Sequence, residues 1–301
     1  MTRHFIPSYK TYGREDDPLV ILAMGAGEQL VHWPRSLIDG LVSAGFQVLA
    51  FDARDVGHSP RFDANWPADP RPILEALAQG QDVPLPYTLD DMAGDIIGLL
   101  DQTGAEKAHL VGISLGAMQA QLAASSHPER VSSLTSIMSN SGSPDLPPPD
   151  VAVTTGLIAS VDPAMDMSER IERFIAMRKP MSGSAFHRDA EEWTDLARRS
   201  LEREAAPSGT VRQIAASMAC RDRHTRLASV QSPTLVIHGS DDPVMSMASA
   251  EDTAARIAGA QLHVIEGMGH DLSEALGATL APVLTDHFKN ASQIKEDEQS
   301  K

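Results

Sequence analysis

Three residues far apart in this 301-residue chain are of the types, and in the settings, that nucleophilic catalysis needs. Ser114 stands in Gly112-Ile113-Ser114-Leu115-Gly116, between the apolar run His109 to Ile113 and a small-residue stretch holding Ala117, Ala120, Ala123 and Ala124. That pattern reads as a strand, a sharp turn and a helix, with one hydroxyl at the apex of the turn. The turn residue is strained, and its neighbours two positions away must lack a Cβ so that strand and helix can pass closely. The start of a helix also offers free N–H groups and a dipole that favour developing negative charge.

A serine hydroxyl is a weak nucleophile at neutral pH and needs a base. The base in turn needs a carboxylate to set its tautomer and to stabilise the imidazolium. His270 follows the apolar run Gln261 to Ile265 in Gly267-Met268-Gly269-His270, and Asp242 follows Leu235 to Ile237 in His238-Gly239-Ser240-Asp241-Asp242-Pro243. The order along the chain is serine, acid, histidine, each in a loop after a strand. Asp242 is the preferred acid, with Asp241 as the alternative. Acyl transfer also requires donors for a tetrahedral oxyanion. The N–H of Leu115 is the first candidate. The second is Ala26 in the loop Gly25-Ala26-Gly27, with Gly27 as the neighbour that could replace it.

The elements that must position these residues follow from apolar runs and helical spacing. Residues 3–12 read as a weak opening strand. Pro18 to Met24, Phe46 to Phe51, His109 to Ile113, Val131 to Met138, Pro233 to Gly239 and Gln261 to Ile265 read as further strands. Helical spacing appears in Trp33 to Ala44, Leu89 to Leu100, Ala248 to Ile257 and Ser273 to Phe288, and residues 60–87 read as a surface excursion. Strands alternating with helices imply a mostly parallel sheet with helices on both faces. Residues 151–225 read as helices with no strand between them. As a block inserted after the sixth strand they would lie over the carboxyl ends of the strands, where open α/β sheets bind ligands.

Composition narrows the classes. A formal net charge of −16 disfavours nucleic acid and anionic membrane as partners. No apolar run reaches the ~18 residues of a membrane-spanning helix, and no signal peptide is visible in Met-Thr-Arg-His-Phe-Ile-Pro. Cys220, the single cysteine, cannot form an internal disulfide, which fits a reducing cytoplasm. No His-Glu-x-x-His or paired Cys-x-x-Cys metal signature occurs.

Taken together, Met24-Gly25 with Trp33-Pro34, Asp52-x-Arg54-Asp55-x-Gly57-x-Ser59, Gly112-x-Ser114-x-Gly116, Asp242-Pro243 and Gly267-Met268-Gly269-His270 resemble the α/β-hydrolase superfamily. Within it the chain resembles the aclacinomycin methylesterase branch. The resemblance runs from about residue 18 to 290 and omits the helical block. It implies an eight-stranded sheet, Ser114 as nucleophile, His270 as base, Asp242 as orienting acid, Ala26 and Leu115 as oxyanion donors, and no cofactor. Met24-Gly25 stands where many relatives have His-Gly. Residues 1–140 and 226–290 are then the hydrolase core, 141–225 a helical lid and 291–301 a polar disordered tail.

The expected activity is hydrolysis of a small to medium, largely apolar carboxyl ester through an acyl-enzyme. Lactonase, amidase, carbon–carbon bond hydrolase or perhydrolase chemistry would use the same triad, and a receptor-like member with little turnover is a third reading. A serine at position 114 argues against dehalogenase or epoxide hydrolase chemistry, which in this fold uses an aspartate. Met165, Met167, Phe174, Met177, Met181, Phe186, Trp193 and Met218 give the lid adaptable, bulky side chains. Candidates for contact with substrate are His32, Met138, Phe174, Met177 and Trp193, with His58 also beside the expected mouth.

Overall fold

The computed structural model describes residues 5–64, 66–147, 161–162, 164–203 and 207–299. Seven strands occur among them: β1 (Ser8–Tyr12), β2 (Leu19–Ala23), β3 (Gln47–Asp52), β4 (Ala108–Ile113), β5 (Val131–Ile137), β6 (Thr234–Gly239) and β7 (Gln261–Ile265). They form one sheet in the order β1-β3-β2-β4-β5-β6-β7. β1 pairs antiparallel with β3 and the remaining pairs are parallel. The sheet thus has one strand fewer than the eight expected. The described part of the opening segment gives one strand, and that strand already occupies the edge beside β3.

Every residue of β2, β3, β4 and β6 is buried. This is why their sequences are continuous apolar runs rather than alternating ones: helices cover both faces. On one face α1 (Arg35–Ser43) and the terminal helix pack Leu37, Ile38 and Leu41 with Leu276, Leu280, Leu284 and Phe288. On the other, α3 (Leu89–Thr103) and α4 (Leu115–Ser126) bring Met92, Ile96 and Leu99 against Ala120, Ala123 and the strands. Thr88 and Asp91 cap α3 reciprocally through side chain and backbone. Within residues 60–87, expected as a surface excursion, lies a short helix, α2 (Arg71–Ala78), with a proline in its first turn.

The chain leaves β2 toward one edge of the sheet and β4 toward the other. A crevice opens where the order reverses, at the carboxyl ends of β2 and β4. The Gly25-Ala26 loop and Ser114 both lie there.

Between β5 and β6 come α5 (Met167–Arg178), α6 (Ala190–Glu202), α7 (Pro207–Ala219) and α8 (Arg223–Arg226). The helical block therefore follows the fifth strand, not the sixth, because five strands precede it among the described residues. α5 and α6 share a small core of Ile171, Phe174, Trp193, Leu196, Ala197 and Leu201. Buried ion pairs tie the block to the sheet: Arg212 on α7 grips Asp55 with two bonds of 2.8 and 2.7 Å, and Arg203 meets Asp52. The expected lid stretch 148–160 lies outside the described residues.

After α9 (Met247–Arg256), the last helix, α10 (Glu274–Gln299), continues into the tail expected to be disordered. Residues 290–299 are polar but contain no Gly or Pro and many helix formers, and Ala291 is buried. No helix among the described residues is long and apolar enough to cross a membrane.

Candidate active site

Ser114 adopts φ 50° and ψ −119°, a strained conformation for a residue with a side chain. Its N–H donates to Ile137 O at 2.9 Å and its carbonyl accepts from Ser139 Oγ at 2.8 Å, so β5 holds the turn on both sides. A Cβ on Gly116 would lie 2.1 Å from Ala23 O, and one on Gly112 would lie 2.4 Å from Ala117 N. The two glycines thus let α4 start directly against β2 and β4. The whole of α4 from Leu115 to Ala124 is buried, which fixes the serine at a rigid helix start.

His270 Nε2 is 3.1 Å from Ser114 Oγ, and His270 Nδ1 is 2.8 Å from Asp242 Oδ2. Asp242 has no exposed side-chain surface. Its other oxygen accepts from the N–H groups of Val244 and Met245, each at 2.8 Å. The proline after Asp242 turns the chain so that these two amides fold back on the carboxylate. Burial opposes the charge on Asp242, but the His270 charge and hydrogen bond and the Met245 N–H outweigh it and hold the carboxyl below its ordinary range. Burial likewise opposes the imidazolium of His270. The charge and hydrogen bond of Asp242 prevail, and its pKa lies above the usual histidine value. Asp241, the alternative acid, instead accepts from Ser184 N at 3.0 Å and from its neighbour Ser240.

The helical block braces the histidine loop. His270 N–H donates to Met181 O at 2.8 Å, and Ala185 N–H donates to Gly267 O at 2.9 Å. A Cβ on Gly269 would fall 2.2 Å from Gly183 N, so this approach requires glycine in the loop.

A cavity opens above the serine. Met24, Gly25, Ala26, Ile113, Ser114, Met138 and His270 form its floor from the sheet side, and Met181 and Leu196 close it from the helical block. Glu28, His32, Arg178, Arg188, Asp271 and Leu272 complete the wall. Of the expected contacts, Ala26, His32 and Met138 face this cavity. Leu115 offers the first N–H of α4, which has no partner within the helix.

Phe174, Met177 and Trp193 do not line the cavity. Phe174 and Trp193 are buried in the core shared by α5 and α6, with the Arg178 guanidinium 4.1 Å from the Phe174 ring centre and that of Arg188 5.2 Å from Trp193. Met177 is half-buried on α5. In an amphipathic helix the largest apolar residues serve first to join helix to helix. His58 is exposed, and its backbone N–H donates to Asp52. The motif around it is structural: Asp52 also accepts from Leu30 N, Ser59 Oγ donates to Asp52 O at 2.6 Å, and Arg54 makes a two-bond contact with Asp95.

Sequence reasoning missed the charged wall. Arg188 pairs with Asp271 through bonds of 3.0 and 3.1 Å and with Glu192 at 2.7 Å. Arg178 Nε lies 3.9 Å from Glu28 Oε1. Burial, eased only in part by Arg178, raises the pKa of the Glu28 carboxyl. The one sequence signal was the position of Glu28, directly after the Gly25-Ala26-Gly27 loop.

Among the described residues no group of three or more His, Cys, Asp and Glu could hold a metal ion. The alpha/beta hydrolase fold family model matches residues 18–274. Rhodomycin D methylesterase DnrP of Streptomyces peucetius is 29% identical over 298 residues, covering 92% of each chain, in agreement with the branch that the motifs resemble. A 2-hydroxy-6-oxononadienedioate/2-hydroxy-6-oxononatrienedioate hydrolase of Cupriavidus pinatubonensis is 26% identical over 264 residues, 83% of this chain and 80% of the relative. Among solved structures, a hydrolase from Pseudomonas aeruginosa PA01 superposes with a TM-score of 0.65 at 26% identity, covering 94% of this chain and 92% of that one. The sheet order, the serine turn and the match over most of its length agree: this chain belongs to the α/β hydrolase fold family.

Proposed function

We propose that the protein is a serine carboxyl-ester hydrolase working through Ser114, His270 and Asp242. The observation that carries this reading is the continuous line of two hydrogen bonds, 3.1 Å from Ser114 Oγ to His270 Nε2 and 2.8 Å from Nδ1 to Asp242. Ser114 Oγ attacks the ester carbonyl while His270 takes its proton. The carbonyl oxygen, now an oxyanion, accepts from the N–H groups of Leu115 and Ala26. His270 returns the proton to the leaving alcohol, and water, activated by the same imidazole, hydrolyses the acyl-enzyme. Asp242 keeps Nδ1 protonated and stabilises the imidazolium without giving up its own charge.

The helical block is proposed to act as a lid that sets substrate choice. Its support is position: it supplies Met181, Leu196, Arg178 and Arg188 to the cavity wall. The apolar floor fits a small to medium ester. The relative named a methylesterase spans nearly the full chain, which favours an ester over a substrate of the kind named for the Cupriavidus enzyme.

The test is hydrolysis of a short p-nitrophenyl ester by wild type and Ser114→Ala. Turnover should fall by roughly a thousandfold or more, with an unchanged melting curve. Full activity in the variant would overturn the assignment.

A further inference from the structure

Two hydrogen-bond donors on the cavity wall have no partner among the described residues. His32 is 4% exposed and lines the cavity together with Ser114. The backbone N–H of Gln29 lies 2.8 Å from its Nδ1. Gln29 O is also 3.0 Å from Nδ1 but already accepts from the His32 backbone N–H at 2.9 Å, whereas the Gln29 N–H can only donate and finds its acceptor in Nδ1, so the tautomer that pairs both backbone groups carries the ring proton on Nε2. That Nε2 is buried and has no partner among the described residues. Burial and then the charge of Arg178 push the ring well below its ordinary pKa, which keeps it neutral and makes it a weak proton acceptor.

Arg178 lines the same cavity, and its Nε is also buried without a hydrogen-bond partner among the described residues. Glu28, at 3.9 Å, is beyond hydrogen-bond reach. One ring backs both donors: the His32 imidazole stacks on Phe174 with centroids 6.2 Å apart, and the Arg178 guanidinium carbon is 4.1 Å from the Phe174 centre. A buried donor left unpaired weakens the folded state, and a ligand that brings an acceptor removes that defect. The wall also carries its own counter-charges, Glu28 beside Arg178 and Asp271 with Glu192 on Arg188. A neutral acceptor suits such a wall better than a carboxylate.

We propose that the preferred substrate is an ester carrying a second, neutral carbonyl oxygen, which accepts from His32 Nε2–H and Arg178 Nε–H while Ser114 meets the scissile carbonyl. This inference rests on the ester-hydrolase reading and specifies its substrate class. His32 and Arg178 are then specificity residues, and their effect is a ratio between two substrates rather than a rate on one.

The experiment measures kcat/KM by proton release for methyl oxoalkanoates with the oxo group at C3, C4 or C5, and for acetates of oxo-alcohols. Each is compared with the deoxo ester of equal length. In wild type one oxo position should be favoured by about tenfold or more, the scale of one buried hydrogen bond. His32→Asn keeps an acceptor for Gln29 N–H but loses the donor, and the ratio should fall to near one. His32→Gln, which carries an N–H at the position of Nε2, should recover part of it. Arg178→Met, on a different element, should lower the ratio independently and keeps the test open if His32→Asn does not fold. Ratios near one at every position in wild type, a ratio unchanged in both His32→Asn and Arg178→Met, or a stronger preference for a carboxylate half-ester would each overturn the inference. Plain esters cleaved without an oxo preference defeat this inference alone. If neither series is cleaved, the ester reading fails with it.

Discussion

The two walls of the cavity are built in different ways. The sheet wall places Ser114, Asp242 and His270 at strand ends, where backbone sterics leave little choice: the serine sits at φ 50° against glycines that admit no Cβ. The helical wall places Arg178, Arg188, Met181 and Leu196 through packing between helices and through ion pairs to the core. On the proposed reading the first wall sets the chemistry and the second the substrate shape. A change on the sheet side should therefore strike turnover, and a change on the helical side should strike stability or substrate choice. That division can be broken by experiment.

The largest effect is expected at Asp242. Asp242→Asn keeps the shape but lets the imidazole take the wrong tautomer, and kcat should fall by roughly a thousand- to ten-thousandfold with little change in KM. A loss under tenfold would put the orienting role elsewhere. On the helical side, Arg212→Ala removes one partner of a fully buried pair and leaves Asp55 and the Tyr87 hydroxyl facing an empty site. Unfolding free energy should drop by about 3–5 kcal/mol, read by denaturant melts. An unchanged melt would mean that the block is not anchored through this pair.

The pH profile sharpens the same division. His270 must be neutral to accept the serine proton, and its pKa is raised above the ordinary value of 6.5. Activity should therefore fall as pH drops through a point above that value, and Asp242→Asn should move this acid limb to lower pH. A limb that stays in place would assign it to another group. The smallest effect belongs to Met177, half-buried and off the cavity wall: Met177→Ala should leave KM within about twofold. A large rise would place α5 differently over the site.

The same contrast explains what the sequence could say. The meeting of Ser114, His270 and Asp242 in one line of hydrogen bonds was legible because a strained turn, a proline after an acid and a glycine pair before a histidine are local devices with few other uses. The inner strands were legible because two-sided burial writes continuous apolar runs. Phe174 and Trp193 were misread because size and apolarity mark a side chain for burial without saying against what, and here α5 and α6 bury them against each other. Arg178 and Arg188 were passed over for the converse reason: a charge on an amphipathic helix or just before one usually faces water, and only the fold turns these two inward. The disordered tail was a composition reading that a buried Ala291 and a helix running to Gln299 without Gly or Pro after Pro282 corrected.

The most direct measurement is labelling by a fluorophosphonate followed by intact mass and peptide mapping. One adduct per chain is expected, on the peptide holding Ser114, with loss of ester hydrolysis in step with labelling, and none in Ser114→Ala. An active enzyme that takes no label, or one labelled on another residue, would contradict the assignment of Ser114 as the attacking group.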